Sequence, residues 1–444
     1  MITTDFRKIN FYTIGNLWFL ILLLSFSYDK PILILTSLDR FNPRLSDVAT
    51  ILGVIWYFNF NAKFNIDNVV LSAYKKLVIW FTICTVFSIL IYGFPLNIDA
   101  FSIYYLFKYY QELLVCYLVL CYMSVYEIPY ERIFKILIIG GVFVALYSIL
   151  EYLTPGDIEV EISPGKFVTK PNGFVWGPYT ATYFQIANYS PIVGFITLAY
   201  AIYKKGLYKW ALIAVSFLVF WPSLVSGSRT AIGFILVLFA IAFFKDVKFR
   251  VLIIVMLSTV VVYFGFNIDA LYETILSSDS ETIARMQRFE ESGSHNSIEG
   301  RFEYVFVWFE RFPMYVYNGI LVPVFGGGFY VAPMNGAFRI GYGWHNIFIF
   351  AIEQAGVIGL ILFIKFIKRG YAVIGNHIKK LEINSAKRQF VFAVFVIFIA
   401  MFVLGIGGSH TFWEGFSTGN FNLFRMVLIT LATYGYVNTQ NKDD

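Results

Sequence analysis

The chain has 444 residues, of which 58% are hydrophobic and only 14% charged, with a mean hydropathy of +0.68. So few charges cannot solvate the surface of a soluble protein of this length, so the water-soluble globular classes are excluded. The formal net charge of +6 is modest and reflects mostly loop lysines, which gives no support for nucleic-acid binding.

Apolar runs long enough to cross a bilayer recur along the whole length. The first, near 10–28, follows Arg7 and Lys8 and has no small-residue cleavage site after it, so it is expected to stay in the protein. Further spans are expected near 44–60, 77–95, 104–125, 133–153, 181–203, 209–226, 230–245, 250–267, 345–364, 389–408 and 420–437. The expected fold class is therefore an all-α polytopic membrane protein. It forms a single integral membrane domain over residues 1–444, with about 12 transmembrane helices. Cys84, Cys116 and Cys121 all lie in apolar runs and read as small core residues.

The basic residues orient this map. With the N-terminus inside, the inner loops collect Lys63, Lys75 and Lys76, then Arg132 and Lys135, then Lys204, Lys205 and Lys209, then Lys245, Lys248 and Arg250. The largest group is Lys365, Lys368, Arg369, Lys379, Lys380, Lys387 and Arg388. The positive-inside rule then puts both termini in the cytoplasm and the long 268–344 loop outside. Segment 301–312 of that loop carries Phe302, Val305, Phe306 and Phe309 on one stripe and is expected to form an amphipathic helix on the membrane.

Polar residues stand out against this background, in chain order. Lys108 and Glu112 form an i,i+4 pair inside the fourth span and are expected to neutralise each other. The aromatic 154–180 loop carries acidic residues, then Lys166 and Lys170 ahead of Pro171-Asn172-Gly173. Ser228-Arg229-Thr230 opens the eighth span after a very short turn, which pins Arg229 at the outer surface. From residue 229 to 344 every outer cation is an arginine, including Arg285, Arg288, Arg301, Arg311 and Arg339. Arginine's fork matches phosphate oxygens two at a time; pairing with Glu290, Glu291, Glu303 and Glu310 is the plainer explanation for some of them.

His345-Asn346 opens the tenth span, followed by Glu353 and Gly356-Val357-Ile358-Gly359. On a continuous helix at 100° per residue both glycines lie beneath His345 on one face, where a neighbouring helix can approach closely. A histidine near neutral pH can take and return a proton. Glu353 is an ionisable group within the hydrocarbon and so a functional candidate. An interfacial anchor for His345 and a packing hydrogen bond for Glu353 are the plainer roles. Arg425 lies two turns into the last span, within snorkelling reach of the outer surface. The four histidines are scattered, and no metal spacing, P-loop or dinucleotide fingerprint is present, so neither metal nor cofactor is expected.

Taken in order, Ser228-Arg229-Thr230, then Arg301 with Trp308, Pro313 and Phe325-Gly326-Gly327-Gly328, then His345-Asn346, Glu353 and Gly356-Val357-Ile358-Gly359, resemble the bacterial O-antigen ligase/polymerase superfamily over roughly residues 170–405. The resemblance implies a GT-C-like membrane fold and a metal-independent glycosyltransferase of the bacterial inner membrane, working at the periplasmic face. Its donor would be an undecaprenyl-diphosphate-linked oligosaccharide. Carried onto matching positions, Arg229 and Arg301 would hold the diphosphate and His345 would activate the acceptor hydroxyl, with Arg288, Arg339, Lys170, Asn346 and Glu353 as further substrate-binding candidates. Lys170 departs from the pattern, because an arginine is expected before Pro171-Asn172-Gly173. The implied partners are the lipid-linked donor, a glycan acceptor, membrane lipid and a chain-length regulator.

Polymerase and ligase share these motifs. A polymerase passes the chain to a carrier-linked repeat unit, and a ligase passes it to lipid A-core. The His-to-Gly spacing leans towards ligases. The 49 Phe and 31 Tyr, with abundant Ile and Lys, suggest an AT-rich gene of the kind that carries surface-polysaccharide polymerases, and polymerase is the expectation taken forward. A transporter or flippase, with Lys108, Glu112 and Glu353 lining a pathway, is the alternative of another class.

Overall fold

The computed structural model describes residues 3–33, 42–60, 68–92, 100–154, 158–163, 166–170, 175, 177–179, 183–226, 228–266, 347–407 and 419–436. These residues form helices α1 (Thr3–Ser25), α2 (Leu45–Phe60), α3 (Val69–Tyr92), α4 (Ala100–Tyr126) and α5 (Tyr130–Leu153). After an antiparallel hairpin of β1 (Ile158–Ser163) and β2 (Lys166–Lys170) come α6 (Tyr183–Tyr203), α7 (Gly206–Val225), α8 (Arg229–Lys245) and α9 (Val247–Phe266). The last described helices are α10 (Ile347–Lys380), α11 (Ala386–Gly407) and α12 (Gly419–Thr433).

The protein is thus helical, and α3, α5, α7 and α11 contain stretches long and apolar enough to cross a membrane. The outward face of α5 makes the same point. Ile139, Phe143, Leu146, Leu150 and Leu153 form one exposed stripe at helical spacing, where a water-facing helix would carry polar residues.

The expected helical class holds, with one addition among the described residues: the hairpin, in which Ile158 pairs with Lys170 and Val160 with Val168. Several helices also run past their apolar stretches: α3 starts at Val69 rather than 77, and α10 continues to Lys380 rather than ending near 364. The excess turns carry charges such as Lys75 and Lys76, and Lys365 to Lys380, which hydropathy scores against a span although a helix accommodates them well. The 268–344 loop and its 301–312 segment lie outside the described residues.

The interior is organised around α6 and α11. From Asn188 through Ala201 every residue of α6 is buried, as expected of a helix surrounded by others. It packs against α5, α7, α8 and α11, and α11 also touches α10 and α12. A second group joins α3 to α10 and α4 to α12. Beside it, α1, α2 and α4 close around an aromatic stack: Trp18 lies on Trp56 at 5.4 Å between ring centres, and Tyr122 meets both edge-on. Gly53 permits this approach, because a methyl there would collide with the Trp18 indole.

Contacts define two ends of the bundle. At one, the Glu131 carboxylate accepts from Lys204 Nζ at 2.8 Å, Asn68 Nδ2 donates to Thr433 Oγ1 at 3.0 Å, and His377 Nδ1 bonds the Ala432 carbonyl at 2.8 Å. At the other, Arg44 and Asp29 form a buried ion pair, Lys30 donates to Tyr147 Oη at 2.6 Å, and Asp29 N donates to the Pro178 carbonyl at 3.0 Å.

Candidate functional site

The second end holds the sequence candidates that fall on described backbone. Between α7 and α8 the chain turns through Ser226 and Ser228, both buried. Ser226 Oγ donates to the Ser223 carbonyl at 2.8 Å and accepts from Ser228 N at 3.3 Å. Ser228 Oγ in turn accepts from Ala231 N at 3.4 Å and caps α8. Arg229 is therefore the first residue of α8, at a helix N-terminus where free backbone N–H groups and the helix dipole favour anions.

The 175–179 segment is tied down across the same end. Val175 N donates to the Val225 carbonyl at 3.4 Å, in the last turn of α7. Gly177, whose φ of +69° suits glycine, donates its N–H to Glu151 Oε2 at 2.7 Å. Tyr179 Oη donates to the Phe26 carbonyl at 3.3 Å. Glu151, in the last turn of α5, is thus a staple between that helix and this segment. Lys170 ends β2, five residues before Val175.

The start of α10 lies at this end too. Phe348 packs edge-on against Phe402 near the end of α11, with ring centres 6.0 Å apart. Leu404, in the same turns of α11, lies over Gly233 of α8, where an added methyl would sit 3.8 Å from Leu404 Cδ2. The last turns of α11 thus bridge the first turn of α10 and the first turns of α8. Glu353 lies on α10, and His345 and Asn346 immediately precede that helix in sequence. His345, Asn346, Arg288, Arg301 and Arg339 fall outside the described residues, as do the side chains of Lys170, Arg229 and Glu353.

α10 is not continuous. Gly356 has φ 63° and ψ −171°, a conformation essentially confined to glycine, and this splits the helix into 347–355 and 357–380. The continuous helix on which the alignment of Gly356 and Gly359 beneath His345 rests is thereby corrected, because angles cannot be carried across a break; His345 itself lies outside the described residues. Trp80 Nε1 donates to the Ala355 carbonyl at 2.8 Å, just before the break. Trp80 carries no motif, and nothing in the sequence singles it out.

A second polar group lies inside the bundle. Lys108 Nζ donates to Asp47 Oδ1 at 2.5 Å and to Gln111 Oε1 at 2.9 Å, while Gln111 Nε2 reaches Asp47 and Thr50. Glu112 accepts instead from Tyr74 Oη, and the Arg425 charge acts on the same carboxylate. The Lys108 charge acts on this carboxylate too, so the expected couple stands but is joined by hydrogen-bond partners from α2 and α3. Spacing along one helix shows which groups are adjacent, but not which neighbours compete for them. Arg425 also departs from expectation: it is 4% exposed and turned inward, with Nη1 3.4 Å from Asn422 Oδ1. With Tyr74, Tyr109, Phe363 and Phe366 it lines a cavity of about 30 Å³, room for a water or two but not for a sugar.

Among the described residues no three His, Cys, Asp or Glu side chains stand together as metal ligands. All three cysteines are buried and unbridged, as their apolar surroundings predict. Burial pushes the His377 imidazole below the usual histidine range. It lies in the last turn of α10, at the opposite end from the start of that helix. No family model matches the sequence, and no curated protein matches it.

Proposed function

We propose that the protein is a metal-independent glycosyltransferase of the bacterial inner membrane, an O-antigen or surface-polysaccharide polymerase. In this reading it has twelve membrane-spanning helices in a GT-C-like arrangement, with the reaction at the periplasmic face. The observation that carries it is the meeting of the α8 N-terminus, which begins with Arg229, and the start of α10, two residues after His345, across the end of α11. The first turns of α8 and of α10, more than a hundred residues apart in sequence, thus lie at one end of the bundle.

The chemistry needs little else. Carrier diphosphate leaves readily once its developing charge is matched, and Arg229 at a capped helix N-terminus, aided by Arg301, supplies that match. His345 accepts the acceptor hydroxyl's proton as the bond from sugar carbon to phosphate oxygen breaks and the bond to the acceptor oxygen forms. Arg288, Arg339, Asn346, Glu353 and Lys170 are assigned to holding the glycan and carrier.

The transporter reading has one observation in its favour: a broken helix within the bundle, as transporters use at their binding sites. Against it, the cavity that the described residues enclose beside Arg425 is too small for a glycan. Deleting the gene and running the surface polysaccharide on a gel separates the readings. A single repeat unit on lipid A-core is the expected result. Carrier-linked polymer without any attachment would mean a ligase, and carrier-linked repeat units trapped on the cytoplasmic leaflet would mean a flippase.

A further inference from the structure

The break in α10 has a partner. An α-helical bond from Gly359 N to the Ala355 carbonyl has to span Gly356, and the angles at Gly356 do not allow it. A carbonyl released inside a membrane bundle needs another donor, since no bulk water is present to serve. Trp80 of α3 meets that need with its indole N–H at 2.8 Å, and Cys84 Sγ, one turn further along α3, lies 4.0 Å from the same oxygen. Gly359 completes the joint. A side chain there would collide with the Ala355 methyl, and its Cβ would sit 3.3 Å from Trp80 Cδ1. The inner segment of α10 is separately fixed to α3, with Tyr74 and Phe366 ring centres 5.5 Å apart. α3 thus touches both sides of the break, and among the described residues it alone supplies hydrogen-bond donors at the Ala355 carbonyl.

We propose that Trp80 is a positioning residue: by holding the Ala355 carbonyl it fixes the break at Gly356, and with it the direction in which residues 347–355 reach the periplasmic end. Given the transferase reading above, those residues carry Glu353 and lead directly from His345, so the joint sets where the base stands. Gly356 and Gly359 then serve the bend and the close approach of the Trp80 indole. Glycine adopts such angles readily, so the break is fixed by what holds its ends, and at the released carbonyl the nearest donor is the Trp80 N–H, with the Cys84 thiol further off.

The test separates the joint from the reaction. Trp80→Phe keeps an aromatic ring and removes the N–H; replacing the indole by its benzothiophene isostere, which also lacks the N–H, guards against a folding defect from lost bulk. In proteoliposomes with lipid-linked donor and acceptor, both replacements are expected to lower kcat by about tenfold or more, with a smaller rise in donor KM, because the displaced segment carries the base's helix start and Glu353 together. The structural arm uses F348C/F402C with the native cysteines changed to alanine, which leaves no new donor at Cys84 beside the Ala355 carbonyl, cross-linked by a short bifunctional thiol reagent. Its yield is expected to fall severalfold when the Trp80 N–H is removed, whatever reaction the protein performs. Unchanged cross-linking in the folded isostere overturns the joint. Altered cross-linking with unchanged kcat overturns its role in placing the base. If the parent protein transfers no glycan, the transferase reading fails and the cross-linking arm alone decides whether Trp80 holds the break.

Discussion

Asp29 and Arg44 show how individual residues act in a bundle otherwise dominated by apolar contacts. Their side chains are 3% and 5% exposed, and they join the end of α1 to the start of α2. Asp29 also donates its N–H to Pro178, so the pair sits beneath the 175–179 segment at the candidate site end. Breaking one half of a buried pair leaves the other charge in a dry site, which costs about 3–5 kcal/mol, while replacing both by apolar groups is often neutral. Asp29→Ala is therefore expected to destabilise the protein by about that amount, and D29A/R44M to recover most of it. Reversible unfolding in mixed detergent micelles measures both. A cost below about 1 kcal/mol for Asp29→Ala would show that the guanidinium finds another partner or water. Neither residue is conspicuous in sequence, because the pair forms only once two helix ends have met. The same limit hides the Lys108–Asp47 bond: the sequence shows both groups, but only the approach of α2 to α4 shows which one Lys108 prefers.

At the scale of helices, apolar run length proves a good guide to where each element lies, since a bilayer-length helix needs about twenty apolar residues whatever surrounds it. It says nothing about breaks. Gly356 sits in an apolar helical pattern like that of Gly140 or Gly141, yet only Gly356 leaves the helical conformation. The hairpin has a signal that run length ignores: Ile158, Val160 and Ile162 alternate with Glu159 and Glu161 at the period of a strand. Gly140 and Gly141 show what unbroken glycines do here. A methyl on Gly140 would meet Tyr189 Oη at 2.8 Å, and one on Gly141 would meet Val193 Cγ1 at 2.7 Å and Val219 Cγ1 at 3.1 Å. They let α5 approach both α6 and α7, the small-residue contact through which helices associate in lipid. Gly141→Val is expected to destabilise by about 1–3 kcal/mol through overpacking, and Gly141→Ala by less. Unfolding of the two variants checks the order; equal stability of both with the parent would mean that α5 can shift without cost.

The whole molecule has an electrostatic polarity that its contacts make concrete. Helices alternate in direction, so the end containing Glu131, Lys204, His377 and Thr433 gathers the connections 126–130, 203–206 and 380–386. Lys204, Lys205, Lys379, Lys380, Lys387 and Arg388 crowd that end, and Arg132 reaches Asn16 of α1 from it at 3.3 Å. The other end carries the hairpin, the 175–179 segment and the α8 N-terminus, with few lysines. Short loops rich in lysine stay in the cytoplasm, so in the proposed orientation the first end is inside and the candidate site outside. Thr154, exposed at the end of α5, and Lys205, exposed between α6 and α7, sit on opposite ends and make a direct test. In a background with the three buried cysteines replaced, T154C is expected to react with a membrane-impermeant thiol reagent in intact spheroplasts, and K205C only after lysis. The reverse pattern would invert the orientation and move the Arg229 end of the bundle to the cytoplasm. A lipid-linked donor presented at the periplasmic face could not reach it there, so that single result would overturn the topology and the proposed reaction together. Labelling of both in intact cells would instead break the alternation between α5 and α7.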